Sequence, residues 1–419
     1  MSTGSSDPFG LHREERIKRS GVRGVFTPHQ PIDSVELFAG RQQEVRGLIE
    51  HLNTPGQHAL LYGERGVGKS SLANITTRLI FESLMGGQLF TYRCHAGTAF
   101  FDVVRKPLEQ VGYDFSEERT QRERKETSGK GNLGVVEGTT TREEEVLTTR
   151  KARVLDPGTV ADELGAITGL LVVDEADAIS DSEDKRRLAE LIKLLSDAGA
   201  AFKLLVVGIA ETGAELTAAH PSVHRCLKET KLKRMTDEEI AQIISDGAAR
   251  INLRFTDGAV QAIVSLSAGY PHFTHLLALK SAEDVIADDG EVVDQHALKR
   301  ALERAVSEAE GTLKRVYDGA TRSYNTDMYR KVVLAAALCD GEEFTAEDLR
   351  GSIETVTKKR MNQQALNNYL RRLVSDRGET ILWRMAKGMY RFADPRMRSF
   401  IRMSNNMLDG GGRMSGSPN

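Results

Sequence analysis

Gly63-Glu64-Arg65-Gly66-Val67-Gly68-Lys69-Ser70-Ser71 concentrates more usable chemistry than any other run of the chain. Glycines at 63, 66 and 68 let backbone N–H groups turn toward one point with no Cβ in the way, an arrangement suited to phosphate oxygens. Lys69 adds a mobile positive charge that reaches β- and γ-phosphates, and Ser70 offers a hydroxyl to Mg²⁺. The apolar run "HALLY" (58–62) precedes the loop and the helix-like "SSLANITTRLIFESL" follows it, so the positive end of a helix dipole would face the same point. That strand–loop–helix context makes Gly63 to Ser71 a candidate ATP-binding P-loop.

Such a loop needs a second acidic strand. In "GLLVVDEADAI", Asp174 follows four apolar residues and so falls at a strand's carboxyl end, where open α/β sheets place ligands. Asp174 and Ser70 are the candidate Mg²⁺ ligands. Glu175 is positioned to polarise an attacking water, which is general-base work. A glutamate beside the acidic residue favours an ATPase that hydrolyses over a kinase that must avoid water. Lys69 and Glu175 are therefore candidate catalytic residues.

These motifs need a parallel sheet covered on both faces, and the chain supplies its pattern. Short apolar runs alternate with amphipathic segments, with "LFTYRC" (89–94) and "KLLVVG" (203–208) joining the two strands already named. The 419 residues, 40% hydrophobic and 28% charged, are those of a globular chain with two or three domains. We expect a tail over 1–30, an α/β core over 31–234 with a mobile insertion at 116–158, a helical lid over 235–322, a further domain over 323–403 and a disordered end over 404–419. No apolar run reaches the roughly 18 residues that span a bilayer. Three well-separated cysteines show no metal-ligand spacing, and a cytoplasmic location is expected.

The region 323–403 carries its own chemistry. Thr345-x-x-Asp348 reads as a capping box, and "MNQQALNNYLRRLVSD" turns Ala365, Leu366, Tyr369 and Leu373 inward and Gln363, Asn367 and Arg371 outward. "ILWRMAKGMYRFAD" reads as a hairpin turning at Lys387-Gly388. That order suggests a winged helix. From Thr355 to Met403 there are twelve Lys/Arg against three Asp/Glu, a local balance of +9 within a chain of net charge −3. Lys358, Lys359, Arg360, Arg371, Arg372, Arg384, Lys387 and Arg391 are candidate phosphate contacts on double-stranded DNA, and Gln363 and Asn367 candidate base readers. Docking of a protein partner on the same domain is the alternative.

The motifs together resemble AAA+ ATPases of the origin-recognition initiator type. "ELFAGRQQEVRGLIEHL" resembles that family's lead-in helix, "VVGIAETGAEL" its fourth strand and polar sensor, and "HPSVHRCLKETKLKRMTDEEIAQII" the segment carrying an arginine finger. The resemblance implies a P-loop α/β core, a helical lid, a C-terminal winged helix and assembly into homo- or hetero-oligomers through the ATP site. It also implies that Arg225 acts on a neighbouring subunit's γ-phosphate, and that Thr212 and His272 occupy sensor positions at the nucleotide. The chain departs where the family usually has asparagine (here Glu211 beside Thr212) and arginine (here His272 in "AGYPH"). A glycine–proline signature at the second position also resembles STAND signalling ATPases and transposition-associated ATPases. The function expected is an ATP-hydrolysing protein coupling nucleotide state to DNA; the alternative is a STAND-like regulator that docks a protein.

Overall fold

A basic segment docks only where carboxylates meet it, and the first 30 residues find them. The computed structural model describes residues 10–82, 86–113, 115, 155–219, 221–308, 311–323, 326–374 and 380–408. Within it, helices α1 (Leu11–Ser20) and α2 (Val22–Val25) bury Ile17, Val22 and Phe26. Arg13 pairs with Asp284 at 3.3 Å and Arg23 with Glu283 at 2.6 Å. The tail expected over 1–30 is thus replaced, over its described part, by a docked helical arm. Its charges read as solvated only while their partners, far along the chain, are unknown.

Residues Arg41–Gly63 and Lys69–Leu232 form one compact unit. Helix α3 (Gln42–Asn53) leads into strand β1 (His58–Gly63), followed by α4 (Lys69–Ile80), β2 (Gln88–Arg93) and α5 (Phe100–Gln110). Then come α6 (Pro157–Gly165), β3 (Gly169–Asp174), α7 (Ser182–Asp197), β4 (Phe202–Gly208), α8 (Ala210–Ala219), the short α9 (Val223–Cys226) and β5 (Leu227–Leu232). The five strands are all parallel in the order β2-β3-β4-β1-β5. β3 and β4 are buried almost throughout, as central strands covered on both faces must be. Phe202, Leu171 and Val206 of the sheet pack with Phe100, Leu164 and Leu191 of the helices, each fully buried aliphatic side chain contributing about 1.5–3 kcal/mol.

Most of the expected insertion, residues 116–154, lies outside the described residues. Its last positions correct the boundary: Leu155 is buried, Asp156 caps α6 by accepting the Thr159 N–H, and Pro157 opens the helix.

The second unit holds the described part of the first 40 residues, Glu64–Gly68 and the chain from Lys233 onward. The expected core limits of 31 and 234 are therefore too wide. Ala39 buries against Met235, Ile240 and Ile243, which keeps both edges with the helical unit. Helices α10 (Asp237–Arg250), α11 (Asp257–Ser267), α12 (Pro271–Ala287), α13 (Gln295–Glu308) and α14 (Gly311–Thr321) follow, with a two-stranded parallel pair, β6 (Arg254–Phe255) and β7 (Val292–Val293). Thr236 and Glu239 make a full capping box at the start of α10. The arm docks on α12, which carries both Glu283 and Asp284.

The remaining elements run α15 (Met328–Leu338), β8 (Glu343–Thr345), α16 (Ala346–Thr357), α17 (Gln363–Leu373), β9 (Leu382–Ala386), β10 (Met389–Phe392) and α18 (Met397–Leu408). The three strands pair antiparallel in the order β8-β10-β9. Thr345 and Asp348 cap α16 reciprocally, with bonds of 2.8 and 3.1 Å, as their spacing suggests. The hairpin turns at Lys387-Gly388, where Gly388 takes φ 79°, a conformation that favours glycine. Helix α18 continues past the expected limit of 403, so the disordered end expected from 404 is helical through 408; residues 409–419 lie outside the described residues. Ser399 donates to the Ser267 carbonyl (2.7 Å) and Arg402 to Ser265 (2.8 Å), tying α18 to α11.

Candidate functional site

The loop between β1 and α4 has the backbone that its glycines allow. Gly66 and Gly68 take φ of 87° and 97°, so L side chains there would be strained. Gly63 is required for another reason. It sits opposite Leu232 in the β1–β5 register, and a Cβ would lie 2.3 Å from the Leu232 carbonyl oxygen. Val67 is buried and anchors the loop, while Arg65 is exposed. The Lys69 ammonium donates to the Gly63 carbonyl at 2.9 Å, which folds the lysine back along the loop.

The acidic strand meets α4 as its sequence suggests. Ser70 Oγ donates to Asp174 Oδ2 at 2.9 Å, and the other Asp174 oxygen accepts the Glu175 N–H, also at 2.9 Å. Two oxygen ligands side by side suit a hard cation that keeps much of its water shell, so this pair fits Mg²⁺. Glu175 has φ 54° and ψ 41°, a left-handed conformation that costs a non-glycine residue about 1–3 kcal/mol. Its carboxylate accepts from Arg93 at 2.7 Å, and Arg93 lies directly opposite Asp174 in the β2–β3 register. The bond to Glu175 raises the Arg93 pKa above its ordinary value. Both side chains are substantially exposed, so the pair contributes little to stability, and Glu175 is held by a partner that water can replace. Arg93 was not among the residues expected. Its only signal is its place at the end of the second strand.

Glu64 looks inside its own unit. Its carboxylate accepts from Arg234 at 2.9 and 3.3 Å and from the Tyr270 hydroxyl at 2.5 Å, while Arg234 stacks on the Tyr270 ring at 4.9 Å. Burial first, with the Glu64 carboxylate adding to it, raises the Tyr270 pKa, so the hydroxyl stays a donor. Gly66 lies against Arg396, whose Cδ would be 3.1 Å from a Cβ at that position. Arg396 in turn grips Asp394 with bonds of 3.1 and 2.7 Å. Residues 64–68 thus have side-chain neighbours in Arg234, Tyr270 and Arg396 of their own unit, which no local motif announces.

Two expected nucleotide contacts are placed elsewhere. The His272 Nδ1–H donates to the Pro28 carbonyl at 2.7 Å, so this histidine fastens the arm. Thr212 is buried, and its hydroxyl accepts the Ile209 N–H at 3.0 Å, capping the start of α8. A threonine one turn into a helix serves its own backbone before it serves a ligand. Arg225 is exposed on α9.

On the basic region, Asn362 caps α17 and the helix exposes Gln363, Asn367 and Arg371. Gln363 donates to Asn367 at 3.1 Å. Lys358, Lys359, Arg360, Arg384 and Lys387 are exposed, with Arg360 3.5 Å from Glu347. Two expected phosphate contacts are already engaged. Arg372 stacks on Tyr329 at 4.4 Å and donates to the Arg322 carbonyl at 2.5 Å. Arg391 lies over the Trp383 ring at 5.0 Å.

Comparison with known proteins fits this arrangement. Residues 29–377 match the family model described as Novel STAND NTPase 1. Among solved structures, a Walker-type ATPase of Pyrococcus abyssi shares the fold, with a TM-score of 0.52 and 18% identity over 90% of this chain and 99% of that one. The ORC2 protein of Aeropyrum pernix, solved in ADPNP–ADP complexes, is similar at a TM-score of 0.50 and 15% identity, over 92% and 98% of the two chains. No curated protein sequence matches. Among the described residues no helix is long and apolar enough to cross a membrane. With its P-loop, acidic strand, five-stranded parallel sheet and helical partner unit, the chain belongs to the Novel STAND NTPase 1 family and has the fold of origin-recognition-type AAA+ ATPases.

Proposed function

We propose that the chain binds ATP with Mg²⁺, hydrolyses it, and passes its nucleotide state to double-stranded DNA through the C-terminal basic domain, read as a winged helix. The observation that carries this reading is the 2.9 Å bond between Ser70 and Asp174, which joins the first turn of α4 to the acidic strand within the sheet unit. Ser70 and Asp174 would hold the metal, which neutralises phosphate charge when bound. The loop amides and Lys69 would orient the phosphates. Glu175 would take the proton of the attacking water once it leaves Arg93, since a carboxylate engaged with a guanidinium is a weaker base. Arg225, exposed on α9, would serve the site of a second subunit, making the active form an oligomer.

The second reading is a STAND-like regulator whose C-terminal domain docks a protein. The family match favours it, and so do the internal partners of Arg372 and Arg391, which withdraw two cations from the DNA tally. A salt titration of duplex binding with and without ATP separates the two. Under the first reading log affinity falls with log salt by about 0.9 per phosphate contact, and replacing Arg371 and Lys387 with Ala flattens the slope by about two. Absence of binding at low salt with ATP present would hand the function to the protein-docking reading.

A further inference from the structure

Trp383 is the only tryptophan of the chain, and it is 46% exposed on β9, an edge strand of its sheet. Its setting is specific. Arg391 lies directly opposite in the β9–β10 register, and its guanidinium stacks on the indole at 5.0 Å. Strand alternation puts Met385, itself 43% exposed, on the same outer face. Tyr390 and Phe392 turn the other way and are buried. Lys387 stands exposed at the hairpin turn, within the stretch of local balance +9, while Arg384, opposite Tyr390 in the register, belongs to the other face.

We propose that the outer face of the β9–β10 hairpin, centred on Trp383, is a stacking platform for unpaired bases of single-stranded nucleic acid. The proposal rests on the reading that this domain engages nucleic acid, and it names a second mode of contact beside the duplex contacts of α17. An indole backed by a guanidinium on one side offers one open π-face, and any base can stack there without sequence preference. Bases inside a duplex have both faces covered by neighbours and show only their edges. The ring therefore selects bases that are splayed or single-stranded. Lys387 at the turn and the Arg391 guanidinium supply the backbone attraction that such a strand needs.

The lone tryptophan makes its own probe. The full-length chain is titrated with a polypyrimidine single strand and with a duplex of equal length, reading indole emission and the anisotropy of labelled DNA together. The expected result is saturable quenching by the single strand and little by the duplex. W383A should weaken single-strand binding by about 5- to 150-fold, with duplex affinity unchanged within about threefold and W383F retaining most single-strand affinity. Duplex quenching as strong as single-strand quenching would overturn the proposal, as would saturable quenching by a poly-glutamate peptide with none by the single strand. Duplex binding without any single-strand quenching would overturn the platform and leave the DNA reading standing. Failure of both DNAs to bind would overturn both.

Discussion

His58 is placed to make the sheet unit sensitive to acid by an amount that its geometry sets. It opens β1, is 1% exposed, and its Nδ1 accepts the Leu204 N–H of β4 at 3.0 Å, while Nε2 has no hydrogen-bond partner among the described residues. Burial, with a smaller contribution from nearby Lys203, lowers its pKa from 6.5 to about 3. The neutral ring is thus the folded form, and its advantage is complete above pH 6.5, declining as pH falls toward 3. At pH 5 the unfolded chain has gained a proton that the folded sheet refuses. One and a half units at about 1.4 kcal/mol each gives about 2 kcal/mol lost relative to neutrality. The measurement is amide exchange of β1 and β4 at pH 7, 6 and 5, corrected for intrinsic exchange rates, because opening of those strands reads this sheet alone. His58→Asn keeps an acceptor for Leu204 and cannot titrate, so its opening free energy should fall by about 2 kcal/mol less than the parent's over the same range. Equal slopes in parent and variant, or a flat parent, would refute the reasoning.

Four further outcomes follow from the site. Lys69→Ala should abolish ATP binding with the fold intact, and an affinity within about threefold of the parent's would count against the phosphate role. Glu175→Gln should bind ATP while turnover falls by about 10²–10⁴; unchanged turnover would assign the base elsewhere. Arg225→Ala should bind ATP without hydrolysing it and recover activity when mixed with Glu175→Gln, whereas equal loss in co-assembled mixtures would make Arg225 structural. Tyr270→Phe removes a hydroxyl bond to a carboxylate and should cost about 1.5–3 kcal/mol, read from the denaturant midpoint; an unmoved midpoint would show that Glu64 does not depend on that bond.

The parts that were legible in the sequence are those whose chemistry needs neighbours in the chain. The P-loop spacing and the four apolar strand runs are local patterns, and so is the capping box at Thr345 and Asp348. Strand β5 escaped because it is an edge. In "LKETKL" only the first and last residues are buried, which resembles a polar connection more than a strand. The arm escaped because three apolar anchors and a set of arginines look solvated until Glu283 and Asp284 are seen beside them. Motif position points Glu64 and His272 to nucleotide, and the protein partners of their side chains, Arg234, Tyr270 and Pro28, are brought in by tertiary contacts that no local pattern shows. The Thr212 hydroxyl caps the start of α8, a contact that its motif position does not announce.

The arm on α12 also bears on how this family can drift. Arg13 answers Asp284 from 271 positions away and Arg23 answers Glu283 from 260, while the Thr27 N–H meets His275 and the Pro28 carbonyl meets His272. Asp284 also pairs with Arg300 and Arg304, and Glu283 with Lys280, so loss of one arm arginine loosens the arm while both carboxylates keep a cation. Because these contacts join distant positions, substitutions between 13 and 28 should be inherited together with substitutions in 272–284, as correlated columns among relatives.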